Sequence, residues 1–190
     1  MQFFPSVETD DISLDLIIGS SQITRNNFSS NFNTQSCAFP SGGFLTIISL
    51  KGGERNNIVL SDTTTVISAL SFSRTGNSIA VGESGSSSRV FILTFEPDKY
   101  DKILSKIIIN TEEQGFSCLA LDYDKHQLIT VGYGEKPILS LWDIRSPAKL
   151  VSQCSLQAVP TNISLGDDFV LVSGDKMLKI VHLANNNPIN

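Results

Sequence analysis

Apolar and polar residues alternate along this chain in short runs, and the runs return in one order. Ile67-Ser-Ala-Leu-Ser-Phe72 alternates with a period of two, the pattern of a half-buried strand. The polar turn Ser73-Arg-Thr-Gly-Asn77 follows, then Ser78-Ile-Ala-Val-Gly82, a Gly/Ser-rich loop, and Arg89-Val-Phe-Ile-Leu-Thr-Phe95. A second copy runs through Phe116 to Leu121, the turn Asp122 to His126, Gln127 to Gly132, and Ile138 to Ile144. A third runs through Thr161 to Leu165, the turn Gly166 to Asp168, Phe169 to Gly174, and Lys176 to Leu183. A weaker copy precedes them at Asn27 to Phe32, Gln35 to Phe39 and Phe44 to Leu50. Apolar stretches between copies, Ile58 to Leu60, Ile103 to Ile109 and Leu150 to Leu156, supply a fourth strand per unit. No segment carries a sustained i, i+3, i+4, i+7 stripe, so the chain is expected to be all-β.

The slot filled by Trp142 corresponds to Ile48, Leu93 and Val181, at separations of 45, 49 and 39 residues. Four short strands at a period of roughly 40–45 residues predict the blades of a β-propeller. Blades are expected at 27–60, 67–109, 116–156 and 160–184. Residues 1–12 read as a lead-in, 13–20 as a spare closing strand and 185–190 as a tail. The fourth unit lacks an outer strand, so the expected architecture is a partial or incomplete ring. Three arrangements stay open: a fragment of a longer scaffold, a ring completed by self-association or by another chain, and a closed four-bladed propeller.

Trp142-Asp143, within Leu139-Ser-Leu-Trp-Asp-Ile144, resembles the dipeptide that names the WD-repeat family. The resemblance extends through Ile67–Gly82 and Cys118–Asp143 and covers about residues 14 to 184. Within that family the chain is most similar to the mitogen-activated-protein-kinase-binding and spindle-pole WD-repeat scaffold group. The segments that carry this are Leu16-Ile-Ile-Gly19, Ile67 to Ser73, Arg74-Thr-Gly76 and Val81-Gly-Glu83. The resemblance implies a non-enzymatic scaffold for protein–protein interaction, of cytoskeletal, spindle or kinase-signalling type. The chain also departs from the family. The Asp slot holds Ser49, Thr94 and His182 in the other copies, and the Gly-His pair before the first strand is missing. Of the family's hydrogen-bond chain only Thr130 and Trp142 remain, in one blade, with Asp143 as a strand-end anchor. Apolar packing must therefore carry most of the blade stability.

Composition narrows the function classes. Hydrophobic residues make up 41% and charged residues 17%, as in a globular domain. The net charge of −5 comes with no basic stripe, which argues against nucleic acid. Apolar runs are far shorter than the roughly 20 residues a bilayer span needs, so no membrane association is expected. The opening residues lack a basic n-region and an apolar h-region, which points to a cytoplasmic protein, cytoskeleton-associated on the family resemblance. Cys37, Cys118 and Cys154 are odd in number and widely spaced, so buried reduced thiols are expected rather than disulfides or zinc ligands.

The residues for catalysis are sparse. A nucleophilic triad needs a base, and only His126 and His182 are available, one in a turn and one in a strand. Asp122, Asp124, Asp167 and Asp168 lie in turns, where Asp bonds nearby backbone groups. Gly82-Glu-Ser-Gly85 and Gly132-Tyr-Gly134 are too short to cradle phosphates and read as flexible connections. No catalytic residue, metal or cofactor is expected. The loops between second and third strands, with those entering each first strand, line one propeller face. That face is expected to carry Glu83, Arg89, Tyr133, Glu135, Lys136, Asp175 and Lys176. Mixed charge with one Tyr suits another protein as partner, against the plainer reading of solvated loops. Two rivals remain: a propeller hydrolase and a truncated structural remnant.

Overall fold

The computed structural model describes residues 26–41, 43–60, 66–86, 88–97, 99–175 and 177–183. Four antiparallel sheets follow one another along the chain. Blade 1 is β1 (Ser29–Asn31), β2 (Ser36–Ser41), β3 (Phe44–Ser49) and β4 (Arg55–Ile58). Blade 2 is β5 (Val66–Phe72), β6 (Ser78–Ser84), β7 (Arg89–Glu96) and β8 (Lys99–Asn110). Blade 3 is β9 (Phe116–Asp122), β10 (Gln127–Gly132), β11 (Ile138–Asp143) and β12 (Lys149–Ser155). Blade 4 has three strands among the described residues: β13 (Asn162–Leu165), β14 (Phe169–Gly174) and β15 (Met177–His182). The proposed closing strand 13–20, the lead-in and the tail lie outside the described residues.

The repeats superimpose in hydrogen bonding as well as in pattern. Two residues past the shared slot of Ile48, Leu93, Trp142 and Val181, each third strand or the residue after it donates an N–H to the turn after the first strand. The bonds are Leu50 to Gln35, Phe95 to Asn77, Ile144 to His126 and Leu183 to Asp168, all 2.8–2.9 Å. Trp142, Leu93, Ile48 and Val181 pair with Leu128, Ile79, Cys37 and Val170 at one level of each sheet. Adjacent residues on a strand point to opposite sheet faces, so each blade has one face toward the preceding blade and one toward the following blade.

Three apolar cores fill the spaces between blades. Leu45 and Ile47 of blade 1 meet Leu70, Val81 and Phe91 of blade 2. Val90 and Ile92 of blade 2 meet Phe116, Leu119 and Leu128 of blade 3. Leu139 and Leu141 of blade 3 meet Ile163, Val170 and Val172 of blade 4. Gly82 lies beneath Phe116, where an added Cβ would come within 2.7 Å of the ring. Serines tie the innermost strands together. Ser29 Oγ accepts from Phe72 N at 3.0 Å, and Ser71 Oγ, one blade on, accepts from Leu121 N at 3.3 Å. Ala120 stands at that slot in blade 3, where Lys125 Nζ instead reaches Asp167 Oδ1 at 3.1 Å. Asn26 joins blades 2, 3 and 4 near the axis. Its carbonyl accepts from Leu70 N, and its amide donates to the carbonyls of Ser117 and Thr161.

Two expectations about segments need correction. The outer strand of blade 1 is Arg55–Ile58, not Ile58 to Leu60. It starts one residue after the Gly52-Gly53 turn, and its polar residues Arg55, Asn56 and Asn57 gave no apolar signal. Gly82, Glu83 and Ser84, read as a flexible connection, continue β6 and pair with Val66, Ile67 and Ala69.

Candidate functional site

The residues expected on the loop face separate into two groups. Glu83 is not a surface loop residue. It is 2% exposed within β6, and its Oε2 accepts from Arg89 Nη2 at 2.9 Å. Burial of a carboxylate requires such a partner, so this pair is part of the blade 2 structure. Arg89 begins β7 and lies over the Phe91 ring, 5.2 Å from its centroid. Tyr133, Glu135 and Lys136 form the exposed β10–β11 loop, and Asp175 is exposed between β14 and β15. Lys176 lies outside the described residues. Tyr133 packs on Gly115, and burial, with the Cys118 thiol second, pushes its phenol up from its ordinary pKa.

Blade 3 holds a groove that sequence patterning did not indicate. Phe91 in blade 2 and Ser140 in blade 3 occupy the same slot, two residues before Leu93 and Trp142. Phe91 is buried against blade 1, with the Arg89 and Lys106 cations over its ring. Ser140 lacks that bulk, and a cavity of about 590 Å³ opens between blades 2 and 3. Reading the copies in register, with attention to side-chain volume at the slot before the Trp, would have located it.

The groove wall is built from one face of β10, β11 and β12. Trp142 Nε1 donates to Thr130 Oγ1 at 3.2 Å, and Gln153 Nε2 donates to Ser140 Oγ at 3.0 Å. Ile138 and Leu150 add apolar edges. The end of β8 at Asn110 and the connector to β9, Thr111, Glu112 and Glu113, line the opening. Glu113 lies across Gly132, where a Cβ would fall within 2.0 Å of its carboxylate. Burial raises the Glu113 carboxyl above its ordinary pKa. A slot with an indole, amide and hydroxyl wall beneath two acidic side chains fits a mixed apolar and cationic ligand.

Asp143 takes no part in the groove. Its carboxylate accepts from Arg145 N at 3.0 Å and from the Arg145 guanidinium, and those bonds pull its pKa down to about 2. Among the described residues, no three of His, Cys, Asp and Glu gather closely enough to hold a metal ion.

No protein-family model matches the sequence, and no curated protein matches it. Solved structures do match the fold. The crystal structure of RRP9 WD40 repeats superimposes with a TM-score of 0.60 at 13% identity, over 77% of this chain. The fold is that of a WD40 β-propeller. This chain spans 44% of the matched WD40 structure, less than half its length. Trp142 and Thr130 line the inter-blade space that Ser140 leaves open.

Proposed function

We propose that this chain is a non-enzymatic interaction scaffold that takes a basic segment of a partner protein into the groove between blades 2 and 3. One observation carries the reading: Ser140 stands where Phe91 fills the preceding inter-blade space, leaving a cavity of about 590 Å³ under Glu112 and Glu113. Tyr133, Glu135 and Lys136, on the neighbouring loop, extend the contact surface beyond the groove. A Lys or Arg side chain entering there meets two carboxylates, and its methylenes lie along Trp142 and Leu150. Similarity of Ile67–Ser73, Arg74–Gly76 and Val81–Glu83 to the kinase-binding and spindle-pole scaffold group supports a cytoskeletal or kinase-signalling partner in the cytoplasm.

A phage-displayed random peptide library tests the groove. Selected peptides carry Lys or Arg, bind more weakly as salt rises, and weaken at least tenfold with Glu112→Gln plus Glu113→Gln. Ser140→Phe, which fills the cavity, abolishes binding. Selection of the same peptides at unchanged affinity by Ser140→Phe refutes the assignment.

A further inference from the structure

Blade 2 ends in an outer strand unlike those of blades 1 and 3. β8 runs for twelve residues, against four in β4 and seven in β12. Among the described residues, no strand pairs with its outer side. Exposed strand edges are ordinarily blunted by shortness, charge or Pro, because they offer unpaired N–H and C=O groups. The stretch Ile107-Ile108-Ile109 carries none of these guards, and Ile108 is 47% exposed. The ladder fixes which peptide groups this edge offers. Thr111 N–H donates to Ser88 O at 3.1 Å, so hydrogen-bonded pairs with β7 recur at Ile109 and Ile107. The N–H and C=O groups of Lys106, Ile108 and Asn110 therefore point away from β7, at the spacing a further strand requires.

This edge borders the groove. Asn110 and Trp142 line both the Ser140 cavity and a second recess of about 440 Å³, whose walls include Ile107, Ile109, Pro147 and Ala148. Ile107 and Ile109 pack on the side of Trp142, and Ile108, paired with Phe91, lies on the opposite face. Glu112 and Glu113 stand at the Asn110 end and complement a cation. At the other end Lys106 Nζ turns to Leu60 O and the Phe91 ring, and Arg145 is held by Asp143. A ligand there meets the apolar surface of Ile107 and Pro147.

We infer that the partner segment binds as an added antiparallel strand on β8, with a Lys or Arg opposite Ile109 and an apolar residue opposite Ile107. The inference rests on the basic-segment reading of the groove and adds its backbone geometry. Antiparallel pairing continues the pattern of this sheet and is the more stable per residue. The segment then runs from the Asn110 end toward Lys106, so the basic residue precedes the apolar one by two. Both face blade 3, and the residue between them exchanges N–H and C=O bonds with Ile108.

Fluorescence polarisation of labelled Thr-Arg-Thr-Ile-Thr-amide on the full chain tests the pairing. N-methylation of the central Thr removes the N–H that meets Ile108 C=O and weakens binding at least tenfold. N-methylation of the Arg, whose N–H faces solvent, changes affinity less than twofold. The reversed order, Thr-Ile-Thr-Arg-Thr-amide, binds at least tenfold more weakly. Ile108→Pro removes an outward N–H, spares the bonds to β7 and weakens binding at least tenfold, with a circular dichroism spectrum unchanged from wild type. Should that variant fail to fold, the two methylated peptides decide. Equal affinity of those two peptides, or of the two residue orders, overturns the inference. If strand pairing alone is wrong, Ser140→Phe still abolishes binding while both methylated peptides bind alike. If the groove itself is wrong, Ser140→Phe binds as wild type does. A wild-type chain that does not bind the unmodified peptide overturns both.

Discussion

Replacing Phe91 with Ala tests whether apolar filling between blades holds the propeller together. Phe91 is 1% exposed, in a core with Leu45 and Ile47 of blade 1 and Val81 of its own blade. Truncating a buried Phe to Ala costs about 3–5 kcal/mol, transfer and cavity terms together. Arg89 and Lys106 also lose the ring they cover, at 5.2 and 4.6 Å from its centroid. Each such contact contributes about 0.5–1 kcal/mol where partly exposed. The expected loss is about 4–7 kcal/mol, a large part of the 5–15 kcal/mol typical of a whole domain. Ser140→Ala, in the same slot one blade on, removes only the bond to Gln153 Nε2 beside an open groove and costs about 1 kcal/mol. Urea unfolding at fixed protein concentration, followed by fluorescence of the single tryptophan Trp142, measures both. A Phe91→Ala loss below about 1.5 kcal/mol, or one equal to that of Ser140→Ala, refutes the claim that this slot carries the junction.

Two further outcomes follow from the local chemistry. Burial pushes the Cys118 thiol up to about 11, against the hydrogen bonds of Ser117 and Asn26 that pull it down. Iodoacetamide at pH 8 should therefore label Cys118 only after unfolding, and peptide mass spectrometry showing native labelling as fast as denatured labelling contradicts this. Arg145 holds the Asp143 carboxyl at about 2, below its ordinary value near 3.9. The pair's stabilisation is present above about pH 4 and fades as pH falls toward 2. Arg145→Ala should return the Asp143 titration, followed by carboxyl NMR, to its ordinary range; an unchanged titration rules out Arg145 as the cause.

The all-β class and the repeat were legible in the chain because a strand between two sheets must present apolar side chains at fixed intervals. The slot shared by Ile48, Leu93, Trp142 and Val181 could be read from spacing alone, and the pairing of every second and third strand follows it. Patterning failed where one face meets water, as at Arg55–Ile58, whose polar residues hide a strand. It failed again at Glu83, which reads as a loop acid and lies buried against Arg89. An ion pair between sheet residues six apart leaves no periodic trace in a sequence. The groove at Ser140 and, among the described residues, the unpaired outer edge of β8 were decided by the tertiary structure. Local sequence determines which face of a strand is apolar; whether that face is covered depends on the volume and position of the blade beside it.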